Sequence, residues 1–425
     1  MKASIRPVYI YSAIIASILL SVFAVRFPTY INVASISLYF SAIAGYVGLM
    51  LLLWNFVLGT RSVVSLFSRD YAEVIKIHSL IGKYGTLLIF LHPLFIVLSY
   101  GQSILYTVLP DFSSQFENAI TYGRVSLWII LVIWISSAIL KKKMSFRPWK
   151  YLHLGAYISA PFALLHIPAS GSSYASLLGA RIYFWAVVIG FAIFGLLRLR
   201  GALNLNKSKY VIIGNKQVCP EVYTLTIKPN GADLIRPENG QYIYLKTGWF
   251  SEDHPFSVMS FDKETNEIQI GYKVFGDFTK KLSKTPTGKR LFASGPFGCF
   301  TNDISDKPCV FIAGGIGITP FISRVMNEST KREQWLFYCN KEKATAAYLG
   351  SIEQTMGNRL IQIYKNNDGD EIGYIAENMI RKYIERPEKY NYYICGSDKL
   401  TKSVTGELQK CGVSKNNIES ESFNF

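Results

Sequence analysis

Six apolar stretches crowd the first 200 residues, at roughly 8–25, 35–58, 75–99, 123–140, 149–168 and 180–197. Each is long enough, or nearly so, to cross the roughly 30 Å hydrocarbon core of a bilayer. A half-chain of this kind folds as a helical membrane bundle, because lipid leaves a spanning backbone few other ways to satisfy its hydrogen bonds. Charge confirms the division. Residues 1–200 hold 16 Lys+Arg against 4 Asp+Glu, and residues 201–425 hold 29 against 25. The basic residues gather at alternate connections. Lys2 and Arg6 precede the first stretch, and Arg61 and Arg69 follow the second. Lys141, Lys142, Lys143, Arg147 and Lys150 separate the fourth from the fifth, and Arg198 and Arg200 follow the sixth. The 100–122 connection carries only Asp111 and Glu117. By the positive-inside rule both termini face the cytoplasm. Basic loop ends are not a nucleic-acid footprint, which gathers on one face. The N-terminus is basic and then apolar, like a signal peptide, but lacks a small-residue cleavage site and precedes further spans, so it reads as a retained first helix. All six cysteines lie in the second half, with no CxxC pair, as reduced cytoplasmic thiols would.

Four of the five histidines sit inside these apolar stretches. His78 and His92 are 14 residues apart in the third, and His153 and His166 are 13 apart in the fifth. Imidazoles in hydrocarbon mark a pathway or a ligand site, and imidazole is an axial ligand of haem iron. The third and fifth stretches run in the same direction. His78 therefore pairs with His153 near the cytoplasmic side, and His92 with His166 near the outer side. Fourteen residues at 1.5 Å each separate the two levels by about 21 Å. At 100° per residue 14 residues return to within about 40° of the starting face, but 13 land about 140° away. Pro161 lies between His153 and His166, and a locally tightened turn near it is the expected remedy. Lys83, one turn beyond His78, reads either as a snorkelling cation or as a partner for an inner-haem propionate. Arg124 and Arg181, near outer helix ends, read as interface anchors or as partners of outer-haem propionates or another anion.

From Tyr210 the texture changes to short alternating runs, Tyr210–Ile213, Val222–Ile227, Tyr242–Lys246 and Ile268–Tyr272, separated by turn residues. These predict an antiparallel barrel. After Lys307, strands at Cys309–Ala313, Gln334–Cys339 and Tyr392–Cys395 alternate with helical stretches, Thr319–Ser329 first among them, and a final helix closes the chain. That is an open α/β sheet of the nucleotide-binding kind. Residues 309–320 read CVFIAGGIGITP, a buried strand running through glycines into a helix, which lets backbone approach a pyrophosphate. His254-Pro255-Phe256-Ser257 ends an expected barrel strand. Lys273, Gly276-Asp277-Phe278-Thr279, Gly295-Pro296-Phe297-Gly298 and Cys395-Gly396-Ser397 complete an ordered series.

With these residues in view the chain resembles the transmembrane NADPH oxidase and ferric reductase superfamily over nearly its whole length. The resemblance implies a six-span ferric-reductase-like bundle (1–200), a linker (201–208), and a ferredoxin-NADP reductase-like module made of an FAD-binding β-barrel (209–305) and an NAD(P)H-binding α/β domain (306–425). It implies two b-type haems on the four histidines, an FAD, and NADPH or NADH as donor. His254, Pro255, Phe256 and Ser257 match the strand beside the isoalloxazine. Lys273, Gly276, Asp277, Phe278 and Thr279 match the stretch around the FAD pyrophosphate. Gly314, Gly315, Gly317, Thr319 and Pro320 match the nicotinamide-nucleotide pyrophosphate loop. Cys395 and Gly396 are similar to the pair beside the nicotinamide, and Phe425 to the terminal aromatic that covers the flavin face. Lys341 or Lys343 stands where a basic residue reads the NADPH 2′-phosphate, though an arginine fork suits phosphate better. The sequence has no EF-hand pattern, and no obligate protein partner is implied. The expected route runs from cytoplasmic NAD(P)H through FAD, inner haem and outer haem to an acceptor outside the plasma membrane. Oxygen giving superoxide is the first expectation, because the outer loops lack Met, His or Cys clusters. A ferric or cupric chelate, and a partner protein or quinone, are the alternatives.

Overall fold

The computed structural model describes residues 7–68, 71–249, 251–298, 300, 308–328, 333–365 and 369–422. The chain divides into two compact units, Met1–Ala202 and Leu203–Phe425.

The first unit is helical: α1 (Pro7–Phe23), α2 (Val33–Gly59), α3 (Arg61–Phe67), α4 (Tyr71–Tyr100), α5 (Gln115–Trp134), α6 (Phe146–Leu154), α7 (Ala156–Ser170), α8 (Ser172–Ser176) and α9 (Leu178–Ala202). Polar caps fix several starts. Asn32 accepts from Ser35 N at 2.8 Å while the Ser35 hydroxyl takes the Asn32 N–H at 3.1 Å, and Ser114 accepts from Glu117 N. Among the described residues, five helical stretches are long and apolar enough to span a membrane, with α6 and α7 counted as one. The sixth expected span, α1, has 17 described residues, about 25 Å at 1.5 Å each. α2 packs along α4, and α5 along α7. Ile10, Val47, Leu58, Val74 and Ile77 form the core where α1, α2 and α4 meet. Outward faces stay apolar: Leu98, Ile182, Trp185 and Leu196 are all more than half exposed, which fits a lipid surround.

The His153–His166 stretch departs from an ideal helix, but not at Pro161. The break falls at Gly155, between α6 and α7, and Pro161 sits inside α7. Gly155 N bonds Leu152 O at 3.0 Å, and Ile158 N bonds Gly155 O at 2.9 Å. These are three-residue spacings of 3₁₀ type, which advance 120° per residue instead of 100°. The extra rotation repays part of the phase deficit. Gly155 is the residue that permits it, because a Cβ there would stand 2.9 Å from the Leu152 carbonyl oxygen.

The second unit opens with a closed antiparallel barrel: β1 (Ser208–Cys219), β2 (Val222–Pro229), β3 (Tyr242–Lys246), β4 (His254–Phe261), β5 (Ile268–Lys273) and β6 (Arg290–Phe297), in the order β1-β2-β5-β4-β3-β6. Its centre is filled by Tyr210, Leu225, Ile243, Leu245 and Ile270. The expected strand end at His254–Ser257 is instead a strand beginning. β4 runs on to Phe261 because Val258–Phe261 still pair with β5 through a bulge. α10 (Asp277–Ser283) connects β5 to β6.

A parallel sheet follows: β7 (Cys309–Gly314), β8 (Gln334–Cys339), β9 (Leu360–Tyr364), β10 (Glu371–Ile372), β11 (Asn391–Gly396) and β12 (Ile418–Ser422), in the order β10-β9-β8-β7-β11-β12. α11 (Ile322–Glu328), α12 (Leu349–Met356), α13 (Glu377–Tyr383) and α14 (Asp398–Lys410) connect it. α11 begins three residues after Thr319, because a 3₁₀ turn, Gly315–Ile318, intervenes. β12 follows the helix that was expected to end the fold. Its Ile-Glu-Ser-Glu-Ser sequence is mostly polar because it lies at a sheet edge.

Candidate functional site

In the helical unit the fold brings the four histidines together as two pairs. The His78 and His153 ring centroids are 5.9 Å apart at 66°, and those of His92 and His166 are 6.2 Å apart at 78°. The hydrogen bonds of the second pair fix its tautomers. Ser41 donates its hydroxyl proton to the His92 carbonyl at 2.9 Å. Its backbone carbonyl, 2.8 Å from His92 Nδ1, can only accept. Nδ1 of His92 therefore carries the proton and Nε2 keeps its lone pair. Nδ1 of His166 likewise donates to the Ala119 carbonyl at 3.1 Å. Ser170 Oγ lies 3.3–3.4 Å from both nitrogens of His166, but its short bond is to that residue's own carbonyl, at 2.7 Å. An Nδ1–H held by a carbonyl is how metal-binding histidines are usually oriented.

The first pair is held differently. Ser137 Oγ lies 3.2 Å from His153 Nδ1 and accepts from Trp149 Nε1 at 3.2 Å, while the Trp149 ring stacks on His153 at 5.1 Å. His78 Nδ1 is buried, with no hydrogen-bond partner among the described residues.

A cavity of about 460 Å³ opens at the second pair, walled largely by apolar side chains such as Leu49, Ile89 and Leu127. Tyr106, Glu117 and Arg124 give it a polar end. Arg124 is 4% exposed. It bonds Glu117 at 3.3 Å, the Tyr106 carbonyl at 2.8 Å and Thr121 at 3.2 Å. Tyr46, on the same cavity, has a buried hydroxyl with no hydrogen-bond partner among the described residues. Arg181 instead bonds the carbonyls of Tyr174 and Ala175 and is exposed. Lys83 is exposed, with its ammonium 5.1 Å from the Tyr84 ring centroid.

Sequence reasoning missed the small residues that make room for the rings. A Cβ on Gly123 would stand 2.9 Å from His166 Nδ1, and one on Gly45 3.1 Å from His92 Nδ1. These contacts cross between helices, so no spacing within one helix reveals them. Trp149 lies four residues before His153, on the same helix face, and that spacing was a usable signal.

In the second unit, His254 stacks on Phe278 at 3.9 Å and 22°, joining the start of β4 to α10. Pro255 and Ser257 pair with Tyr244 and Tyr242 of β3, and Phe256 is buried. Lys273 ends β5 and pairs with Glu221 at 3.4 Å. Thr279 Oγ1 accepts from Phe275 N at 2.9 Å and donates to the Gly276 carbonyl at 3.2 Å, closing the turn into Asp277. At β7, the strand order reverses between β8 and β11, the kind of switch point where open α/β sheets bind ligands. There the two glycine motifs interlock. A Cβ on Gly317 would stand 2.3 Å from the Cys395 carbonyl oxygen, and one on Gly396 3.3 Å from Gly314 Cα. Gly315 takes φ +54°, open to glycine at no steric cost. Thr319 is buried beside them, and Pro320 follows in the turn before α11. Cys395 is fully buried, and burial pushes its thiol well above the ordinary range. Lys341 and Lys343 are exposed just past β8. Ser422 lies opposite Gly396 in the β11–β12 register. Phe425 lies outside the described residues.

Residues 44–164 match the family of the ferric reductase like transmembrane component, 216–347 the FAD-binding domain, and 311–406 the oxidoreductase NAD-binding domain. The chain is similar to the flavohemoprotein of Pseudomonas putida, 24% identical over 229 residues that make 51% of this chain and 58% of that protein. It is similar to the flavohemoprotein of Candida albicans, 33% identical over 183 residues covering 38% and 42%. A component of the Na(+)-translocating NADH-quinone reductase of Haemophilus ducreyi is 24% identical over 195 residues covering 40% and 48%. The chain spans about half the length of these relatives. Among solved structures it resembles the flavohem-like FAD/NAD binding domain of nitric oxide dioxygenase from Vibrio cholerae, with TM-score 0.46 and 19% identity over 51% of this chain and 98% of that one. It also resembles the flavohemoglobin from Malassezia yamatoensis, with TM-score 0.47 and 20% identity over 74% and 89%.

Proposed function

We propose that this chain, which belongs by its domain architecture to the NADPH oxidase and ferric reductase superfamily, is a flavocytochrome b passing electrons from cytoplasmic NAD(P)H to an acceptor on the outer face. The three domain matches make it a membrane oxidoreductase with FAD- and NAD(P)H-binding domains. The haems, the direction of transfer and the acceptor are our reading.

The observation that carries this reading is the pair of facing imidazole pairs. A metal ion about 2 Å from each Nε2 sets two ring centroids about 6 Å apart, close to the spacing of both pairs. Two imidazoles alone hold an ion poorly, and among the described residues no group of three His, Cys, Asp or Glu is placed to hold one. A haem would bring the rest of its iron's ligands with it and would need only histidines from the chain. The residues therefore fit two haems, one on His78 and His153 and one on His92 and His166. When bound, FAD would convert the electron pair of a hydride into single electrons and the haems would relay them.

The chain's own residues do the rest. His254, Pro255, Phe256 and Ser257 bound the flavin ring site, and Lys273 and Gly276–Thr279 the FAD pyrophosphate. Gly314, Gly315, Gly317, Thr319 and Pro320 admit the nicotinamide nucleotide, whose ring lies by Cys395 and Gly396. A buried thiol that stays neutral adds no charge beside the nicotinamide. Phe425 would cover the flavin and yield to the nicotinamide. With both imidazoles of the second pair committed to a haem, an acceptor would be met at the polar end of the cavity, by Tyr106, Glu117 and Arg124. Oxygen giving superoxide is the acceptor we favour. The ferric reductase match keeps a metal chelate as the competitor.

Reduced protein is expected to show low-spin b-type haem bands with about two haems and one FAD per chain. His92→Ala removes one haem and acceptor reduction but keeps NAD(P)H-driven dye reduction. Retention of both haems in His92→Ala overturns the pairing. Superoxide dismutase-sensitive reduction of cytochrome c supports oxygen. Equal chelate reduction without oxygen, and no superoxide, assigns the chelate instead.

A further inference from the structure

Tyr348 holds a backbone conformation that a bulky side chain seldom adopts. It sits at φ +62°, ψ 13°, immediately before α12. Outside Gly, Asn and Asp, such a residue needs a reason, and strain of this kind gathers at functional positions. Its neighbours supply one. The Tyr348 hydroxyl lies 2.9 Å from Thr224 Oγ1 on β2. Thr224 faces Gly271 of β5 directly in the barrel register. Gly271 has no room for a side chain, because a Cβ there would meet Thr319 Cγ2 at 2.6 Å, Met259 Sδ at 2.7 Å and Tyr348 Oη at 2.7 Å. One glycine of the flavin barrel is thus the seat for two residues of the nucleotide lobe. The first, Thr319, belongs to the pyrophosphate loop, whose Gly317 abuts Cys395. The second is Tyr348. Behind it, the Tyr338 hydroxyl donates to the Ala347 carbonyl at 3.1 Å, and Tyr338 stands beside Ala313, itself beside Cys395, across the parallel sheet. The seat on β5 is therefore connected by direct contacts to the position assigned to the nicotinamide.

We propose that Tyr348 is a positioning residue: its hydroxyl, seated on the Thr224–Gly271 pair, pins the nucleotide lobe to the flavin barrel and so fixes the distance over which hydride passes from NAD(P)H to the flavin. The strained backbone aims the ring, and Gly271 makes the seat. Tyr348 does its work through Thr224 and Gly271. It acts on alignment, to which rates of this kind are steep: a displacement near 1 Å costs about 100-fold. Losing one hydrogen bond from a ring that otherwise stays packed loosens the pin without moving the lobe that far, and an effect near 10-fold is expected. The proposal rests on hydride transfer from NAD(P)H to FAD and is independent of the acceptor beyond the membrane.

The test is anaerobic stopped-flow reduction of the flavin by NADPH and by NADH in the full-length, FAD-loaded protein. Tyr348→Phe keeps the ring and removes the hydroxyl, and Thr224→Val removes its partner. Each is expected to slow the limiting flavin-reduction rate about 10-fold. The apparent nucleotide dissociation constant stays within 2-fold, and flavin content and thermal midpoint stay at wild-type values. The double variant is expected to be no slower than either single one, and 4-deuterated nucleotide to give a changed isotope effect in all three. Wild-type rates in both single variants overturn the proposal. So do losses that multiply in the double variant, or losses that only track flavin content. If the wild-type flavin itself is not reduced by either nucleotide, the hydride-transfer reading fails, and the pin with it.

Discussion

Gly123 leaves space that any other residue would fill. A methyl group there would stand 2.9 Å from His166 Nδ1 and 3.0 Å from its Cγ, on a ring already tied to the Ala119 carbonyl. Overpacking of this kind costs about 1–3 kcal/mol, and here the ring is what must move. Gly123→Ala is expected to lower haem content from about two toward one per chain, read by pyridine haemochrome assay. Ser41→Ala is expected to keep both haems, because the acceptor nearest His92 Nδ1 is the Ser41 backbone carbonyl, which the substitution retains. Cys395 gives a second residue-scale expectation. Its thiol is raised above the ordinary value of 9.0 by burial, so below that pH the group is protonated whether folded or unfolded. As pH rises past 9 the unfolded chain releases the proton first, and stability falls. Denaturant midpoints should therefore decline above pH 9, and less steeply in Cys395→Ala, while native Cys395 resists iodoacetamide at pH 8. The histidines themselves were legible because polar rings stand out in apolar runs. Their glycine neighbours were not, because a glycine in a membrane helix carries no mark of what lies across from it.

At the scale of elements, spacing was legible and local geometry less so. The 14-residue interval on α4 fits a regular helix, and the 13-residue interval does not, so some irregularity between His153 and His166 followed from the sequence alone. Its place did not. Pro161 is the conspicuous breaker, but a proline costs a helix a donor and some local clash, and a bundle tolerates that where neighbours pack around it. Gly155 supplies the tightened turn instead. Pro161→Ala is therefore expected to leave both haem bands intact. Inserting one alanine between Gly155 and Ala156 rotates His166 by about 100° relative to His153 and should abolish one haem, as a reduced-minus-oxidised spectrum would show. The barrel strands and β7, β8 and β11 were readable from alternation and apolar runs. β12 was not, since Ile418–Ser422 carries one apolar residue and owes its place to pairing with β11.

For the whole molecule, the change of texture after residue 200 and the asymmetry of charge are both visible in the sequence, and together they predict an orientation that can be measured. The connection between α5 and α6 carries Lys141, Lys142 and Lys143, whereas the one between α4 and α5 carries Asp111 and no Lys or Arg. Ser113 and Lys142 are both exposed, so a cysteine at either is open to reagent from its own side of the membrane. All six native cysteines lie in the second unit, which the positive-inside rule puts in the cytoplasm with the lysine loop. A membrane-impermeant maleimide applied to intact cells should then label Ser113→Cys and leave both Lys142→Cys and the native cysteines unmodified, and permeabilisation should expose Lys142→Cys. Labelling of Lys142→Cys in intact cells, with Ser113→Cys protected, would turn the molecule over. It would put the NAD(P)H-binding domain outside the cell, away from the nucleotide pool that the proposed electron path needs as its source.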